Sequence, residues 1–108
     1  MYYYLNDDHT YEACDAIKCN EQMMNMRKHY TKHVKDEIIN GHRVSTVWLG
    51  IDHAYEEGLP LLFETMVFNK ENGWIELYCD RYSTWNESLE GHKKAVEWVL
   101  NGAKNEMD

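Results

Sequence analysis

The sequence predicts an α+β fold, in which an antiparallel sheet of about five strands is packed by a C-terminal helix and a first helix, in the order β-α-β-β-β-β-α. Asn40-Gly41 joins two strand-like runs, residues 32–39 and 42–51, and an Asn-Gly pair readily takes the positive φ angles that a type I′ hairpin turn requires. A Thr-x-x-Glu capping box begins at Thr84 and precedes an amphipathic run. Because the connections are short, we expect antiparallel pairing, with the helices on one face of the sheet.

The N-terminal part of the chain predicts one strand and one helix. Residues 2–5, YYYL, are an aromatic strand candidate, and the turn-forming residues NDDHT follow. Residues 11–29 are helix-compatible, with Ala13, Ile17 and Met24 loosely on one face. No Gly or Pro marks the end of this helix, so the sequence leaves its C-terminus open.

Two more strands and the final helix follow the hairpin. LLFETMVF, residues 61–68, and WIELYCDRYS, residues 74–83, are strand candidates joined by a KENG turn. In the final helix Glu87 completes the capping box, and Gly102 lies near the expected end. The apolar side of this helix recurs at three- and four-residue steps, at Trp85, Leu89, His92, Val96 and Val99.

Size and charge restrict the function classes. The 108 residues predict a single domain, 1–108. The formal net charge of -8 repels phosphate backbones, which disfavours direct nucleic-acid binding. No apolar run is long enough for a membrane span, and the N-terminus lacks the pattern of a secretory signal. Three cysteines, an odd number, fit free thiols in a reducing cytoplasm.

Glu64 is a carboxylate inside an apolar strand candidate. Both faces of LLFETMVF are largely apolar, so Glu64 is expected in or beside a covered region. A buried carboxylate must be paired, hydrogen-bonded or protonated, because isolated burial costs several kcal/mol. A cross-strand pair with Arg81 would be structural, whereas a carboxylate lining a pocket would bind a ligand. The sequence leaves both readings open.

Asp52 and His53 lie where a strand candidate ends and a loop begins, a position that often carries binding residues. His53 is a candidate general base, ligand donor or loop-stabilising group. Neighbouring strand residues point in opposite directions, so adjacency alone does not make a catalytic dyad. No nucleophile is identifiable by spacing, and no catalytic residue is therefore assigned.

Arg81, Tyr82 and Trp85 cluster at the junction of the last strand and the final helix. A helix N-terminus attracts anions, and an arginine with two aromatic rings suits a nucleotide. The alternative is that Tyr82 and Trp85 simply pack in the core. Together with Asp52, His53 and Glu64, these residues form the predicted ligand site.

No metal site or cofactor is predicted. His29 and His33 are four residues apart but lack an obvious third ligand, and the Cys14 and Cys19 spacing is poor for zinc. His92 is expected to be a hydrogen-bonded, semi-buried side chain. The sequence contains no Gly-rich phosphate loop, no G-x-S-x-G and no H-E-x-x-H.

The segments VSTVWLGIDH, LLFETMVF and RYSTWNESLEGH resemble a widespread family of small bacteriophage proteins, whose usual pattern reads VSTVFLGLDH, PPLLFETMVF, RYSTW and a helix carrying GH. The resemblance covers roughly residues 42–98. This chain departs from the pattern with Leu59-Pro60 in place of two prolines and with Trp48 in place of Phe, and residues 15–39 match poorly. The resemblance implies a phage gene product acting in the cytoplasm of an infected bacterium, and it implies no reaction and no cofactor.

Three functional hypotheses follow. The first is a non-enzymatic phage accessory protein that counters a host defence system by binding a host protein. The second is sequestration of a small nucleotide signal in the predicted ligand site, with a homodimer favoured by two partly apolar sheet faces. The third is a small hydrolase that acts on a nucleotide-like ligand with Asp52, His53 and Glu64 placed around a metal or a water molecule. A phage regulatory or structural accessory role is a further alternative to the first.

Overall fold

The structure is a computed structural model that describes residues 1–54, 58–69 and 75–103. These residues form two helices and six strands in two antiparallel sheets, so the predicted α+β class is confirmed. The elements in chain order are β1 Tyr2–Leu5, β2 Tyr11–Cys14, α1 Ala16–His29, β3 His33–Ile39, β4 His42–Trp48, β5 Phe63–Asn69, β6 Ile75–Tyr82 and α2 Trp85–Leu100.

The larger sheet has the strand order β3-β4-β5-β6. The predicted hairpin turn is confirmed, since Asn40 and Gly41 have φ angles of 50° and 76° and Ile39 pairs with His42. Strand β4 ends at Trp48 rather than at residue 51. A Cβ at Gly50, which has positive φ, would lie 3.2 Å from Cys19 Sγ, so α1 packs directly on this bend. The predicted KENG turn lies outside the described residues.

The N-terminal part differs from the prediction of one sheet with about five strands. Residues 11–14 form β2 instead of the first helical turn, and β1 and β2 make a separate two-stranded sheet. Helix α1 begins only after Asp15, whose carboxylate accepts a hydrogen bond from Lys18 N at 2.7 Å. Pairing with β1 gives residues 11–14 backbone partners, and this tertiary contact overrides their compatibility with a helix.

Helix α2 packs on one face of the larger sheet and contacts all four of its strands. The Thr84 hydroxyl accepts from Glu87 N at 3.1 Å, as the capping box predicts. Two apolar clusters fill the core. The first contains Met26, Trp48, Leu62, Phe63 and Tyr82, and the second contains Val44, Val67, Ala95 and Val99. No helix of the described residues is long and apolar enough to cross a membrane.

Tyr82 and Gly91 fix the distance between the sheet and α2. A Cβ built on Gly91 would lie 2.0 Å from Tyr82 Cζ, far inside van der Waals contact. Glycine is therefore required at this helical position so that the tyrosine ring can lie against the helix backbone. Burial of this ring raises the pKa of Tyr82 to about 12.

Candidate functional site

The six residues of the predicted ligand site lie in three places. Asp52 and His53 lie in the loop after β4, Tyr82 and Trp85 lie in or against the core, and Glu64 and Arg81 lie side by side on β5 and β6. Glu64 and Arg81 are register partners on β5 and β6, while their neighbours Phe63 and Tyr82 pair with each other. Successive strand residues point to opposite faces of a sheet. Phe63 and Tyr82 are in the core beneath α2, so Glu64 and Arg81 lie on the other face. The structure thus brings Glu64 and Arg81 together but separates both from Tyr82.

The pair between Glu64 and Arg81 is confirmed. Arg81 Nε donates to Glu64 Oε2 at 2.8 Å, and the Cys79 thiol donates to the same oxygen at 3.7 Å. Glu64 is only 9% exposed. A charge-assisted bond satisfies the shielded carboxylate and links the two strands. The arrangement supports the structural reading of Glu64.

Asp52 organises the loop after β4. Its Oδ1 accepts hydrogen bonds from Ala54 N at 2.8 Å and Leu61 N at 3.0 Å. These two backbone donors hold the pKa of the Asp52 carboxyl below its usual range. His53 N in turn donates to Leu61 O at 3.2 Å. Both residues therefore tie the two ends of this loop together.

Trp85 is covered by a residue that the sequence reasoning missed. The His9 ring stacks on the Trp85 ring with 3.6 Å between centroids and 7° between planes. His9 has a φ of 71°, which a non-glycine residue takes at some energetic cost. The edge-to-face contact of Trp85 with Phe63 holds the tryptophan from the core side. A nucleobase could stack on the Trp85 face that His9 covers only after His9 had moved.

His92 links the buried Thr46 hydroxyl to the partly exposed Glu37 carboxylate. Its Nδ1 lies 2.7 Å from Thr46 Oγ1, and its Nε2 lies 2.7 Å from Glu37 Oε1. An ionised Glu37 can only accept, so Nε2 carries a proton, and in a neutral imidazole Nδ1 then accepts from the Thr46 hydroxyl. Such a chain resembles a nucleophile–base arrangement. Thr46 is 0% exposed, however, and no substrate can reach its hydroxyl. The predicted hydrogen-bonded role of His92 is confirmed.

The described residues contain no group of three His, Cys, Asp or Glu side chains arranged to hold a metal ion. His29 ends α1, and His33 lies at the start of β3 with its Nε2 3.8 Å from Asp36 Oδ2. Cys19 is buried and donates to Gly50 O at 3.4 Å. These side chains therefore have different neighbours and do not form a common ligand set within the described residues.

A groove of about 670 Å³ lies between the N-terminal hairpin and α1. Its lining includes the apolar residues Leu5, Met26 and Trp85. The Gln22 amide accepts from Leu5 N at 2.9 Å and donates to Leu5 O at 2.8 Å, which fastens the helix to the hairpin. Side chains of both elements are therefore held in place around a partly apolar groove.

The outward side of α1 carries large apolar residues. Ile17 and Met24 are 72% and 60% exposed, and Tyr30, directly after the helix, is 89% exposed. Tyr30 has a φ of 56°, the left-handed conformation for which glycine is the usual residue at this position. Sequence reasoning did not identify Tyr30. The one available signal was a helix that ends without glycine, asparagine or proline.

Comparisons with protein-family models, with curated proteins and with solved structures gave no match to this chain.

Proposed function

We propose that this protein acts by binding a protein partner through the exposed side of α1, as a phage accessory protein that inhibits a component of a host defence system. The observation that carries the proposal is the exposure of Ile17, Met24 and Tyr30. Scattered apolar residues are ordinary on protein surfaces. Ile17 and Met24, however, are two helical turns apart on one face, and aromatic residues are enriched at protein interfaces.

The phage resemblance supports a division of the molecule into a scaffold of the larger sheet and α2 and a binding surface on α1. Its quoted segments contain Thr46, Tyr82, Gly91 and His92, which meet where the larger sheet packs on α2. These segments therefore contain residues that hold the larger sheet against α2. The poorly matching residues 15–39 contain α1, so a binding surface there would be particular to this protein.

The other two hypotheses receive less support from the geometry. A nucleotide site would need Arg81 and Tyr82 on the same side, whereas they face opposite sides of the sheet. A hydrolase would need available carboxylates, whereas Asp52 accepts two backbone hydrogen bonds and Glu64 accepts from Arg81. Binding by a surface formed from α1 requires neither set of residues.

A plating assay tests the proposal. Phage that carry the gene, and phage that lack it, are plated on otherwise identical hosts that each express one defence system. We expect loss of the gene to reduce plating on at least one such host and to leave plating on the defence-free host unchanged. If no host separates the two phages, the proposed function is wrong.

Matched variants locate the activity. The double variant Ile17→Ser and Met24→Ser removes apolar surface from α1, and we expect it to behave like the gene deletion. Leu100→Ser is the control, because Leu100 is 59% exposed at the end of α2 and the change is of the same kind. His53→Ala tests the hydrolase, which would lose its activity. A binding surface on α1 would be contradicted if phage with the α1 double variant still plated normally on the defence-expressing host. It would also be contradicted if only the control variant reduced plating.

A further inference from the structure

The turn that follows α1 concentrates positive charge in an acidic protein. Residues 27–32, RKHYTK, hold Arg27, Lys28 and Lys32 and are here named the basic turn. No Asp or Glu occurs between Glu21 and Asp36. The rest of the chain has eight Lys and Arg against 19 Asp and Glu. The basic turn is therefore a local reversal of the sign of the surface charge.

The charges of the basic turn are not neutralised by described neighbours. Elsewhere in the described parts of the chain, Lys18, Arg43 and Arg81 make ion pairs with carboxylates. Within the same parts, none of the three cations of the basic turn is in an ion pair. Arg27 and Lys28 are both exposed. Unpaired cations side by side repel one another, so a partner that brings negative charge would relieve this repulsion.

Tyr30 lies at the centre of the basic turn and presents its ring to solvent. Its backbone takes a conformation that favours glycine, and its side chain is 89% exposed. A residue that breaks a local rule without a packing gain marks a candidate functional position. His9 also has positive φ, but its ring stacks on Trp85. The exposure of Tyr30 therefore has no comparable structural explanation.

The basic turn continues into the groove beside α1. Thr31 belongs to the turn and lines the groove together with Met26, which contributes to the core. A segment bound at the turn could therefore place an apolar side chain in the groove while its charged groups meet Arg27 and Lys28. Asp7 and Glu21 also line the groove, and they would repel a polymer with negative charge along its whole length.

We infer that the basic turn and the adjoining groove are a docking surface for an acidic segment of a partner protein that also carries an apolar or aromatic side chain. Carboxylates of the segment meet Arg27, Lys28 and Lys32, while the apolar side chain packs against Tyr30 and the groove. This inference rests on the proposed function and adds the chemistry of the partner. A short carboxylate segment suits a local positive patch, whereas a long phosphate backbone would also meet the negative remainder of the surface.

The test uses fluorescence anisotropy with three labelled probes of similar length. The first is a glutamate-rich peptide with a central Trp-Leu pair, the second has Gln in place of each Glu, and the third is a single-stranded oligonucleotide. We expect the purified full chain to bind the first probe, with an affinity that falls as salt rises. Absence of binding to the first probe, or tighter binding to the second or third, would overturn the inference.

Paired variants separate the basic turn from general charge. Arg27→Gln with Lys28→Gln should weaken binding of the glutamate-rich peptide about tenfold. Lys93→Gln with Lys94→Gln is the matched control, since both residues are exposed neighbours on α2, and its affinity should stay within about twofold of the wild type. Equal weakening by both pairs would overturn the inference, because net charge alone would then explain binding.

Tyr30→Gly tests the aromatic part without changing charge. Glycine is favoured in the left-handed conformation, so the fold is retained, and circular dichroism verifies this for every variant. We expect binding to weaken about fivefold, as for an aromatic contact in an interface. Unchanged affinity would show that Tyr30 is not part of the docking surface. If the peptide tests fail while the α1 double variant still abolishes plating, the docking inference is wrong and the proposed function stands.

Discussion

The two helices of the described residues have opposite relations to the core. Helix α2 contacts all four strands of the larger sheet and buries Ser88, Gly91, His92, Ala95 and Val99. Helix α1 buries Cys19 and Met26 and leaves Ile17 and Met24 exposed. One helix therefore contributes mainly to stability, and the other leaves apolar surface for contact. Similar substitutions should have different consequences in the two helices.

The ends of the helices show the same contrast. Helix α2 begins with the Thr84 cap and is followed by Gly102, whose φ of 90° a residue without Cβ takes at no steric cost. Helix α1 also has a good N-cap in Asp15, but its C-cap is Tyr30 with a φ of 56°. Local stability would favour glycine at residue 30. The tyrosine is consistent with a surface on which binding outweighs a small gain in stability.

Gly91→Ala in α2 should give the largest effect. The added Cβ would overlap the Tyr82 ring, so helix and sheet must separate or the ring must turn. We expect a loss of more than about 3 kcal/mol in the free energy of unfolding, measured by urea denaturation. Glu90→Ala, the neighbouring exposed position, should change stability by less than about 0.5 kcal/mol. Equal stability of the two variants would contradict the close packing of α2 on Tyr82.

His92→Ala should give the next largest effect. It removes one of the two partners of the buried Thr46 hydroxyl, the other being the Thr65 hydroxyl, and it removes the partner of Glu37 and leaves a cavity beneath α2. We expect a loss of about 2–3 kcal/mol by urea denaturation. In the wild type, nitrogen NMR shifts should show the proton on Nε2 and an unprotonated Nδ1. Protonation at Nδ1 of a neutral ring would show that the Thr46 hydroxyl accepts instead of donating.

Tyr82 should make the α2 side of the molecule sensitive to alkali. Burial raises the pKa of Tyr82 from the usual 10.0 of a tyrosine to about 12, so the folded state holds this proton after the unfolded state has lost it. The stabilisation is complete below pH 10 and is lost as pH rises through 12. We expect Tyr82→Phe to reduce the alkaline loss of stability by about 1–2 kcal/mol, measured by denaturation at pH 8 and above. An identical pH profile for the variant would show that Tyr82 titrates as an exposed tyrosine.

Tyr30→Gly in α1 should give the smallest effect and the opposite sign. Glycine relieves the left-handed strain of the folded state, and it also raises the conformational entropy of the unfolded chain. The free energy gained from the first effect should exceed the free energy lost through the second. We expect a gain of about 0.5–1 kcal/mol in the free energy of unfolding. A loss of more than 1 kcal/mol would mean that the Tyr30 ring contributes to packing, and the contrast between the helices would weaken.

The sequence was informative where local rules and tertiary structure agree. Asn40-Gly41 and the Thr84 N-cap each depend on only a few consecutive residues, and the hairpin turn and the hydrogen bond from Glu87 N to the Thr84 hydroxyl were both predicted correctly. The Glu64–Arg81 pair was one of two readings that the sequence left open, and the structure shows this pair satisfying a carboxylate between apolar neighbours. In each case the residue types alone indicate the physical requirement: positive φ in a turn, a hydrogen-bond acceptor at a helix N-terminus, or a partner for a shielded carboxylate.

The sequence was less informative where distant segments decide the outcome. Residues 11–14 form a strand because β1 is available for pairing. The predicted ligand residues do not converge because Arg81 and Tyr82, adjacent in sequence, belong to opposite faces of one strand. Tyr30 was not predicted because the absence of a glycine, asparagine or proline at the end of α1 does not indicate which residue takes the left-handed conformation.

The Gln22 side chain has a consequence for how the protein behaves at high concentration. An edge strand with free N–H and C=O groups can recruit a strand from another molecule. On β1, the Tyr3 N–H donates to Gly50 O, and both backbone groups of Leu5 are bonded to the Gln22 amide. A glutamine side chain here takes the place of a neighbouring strand, so the N–H and C=O of Leu5 are not free to recruit a strand from another copy.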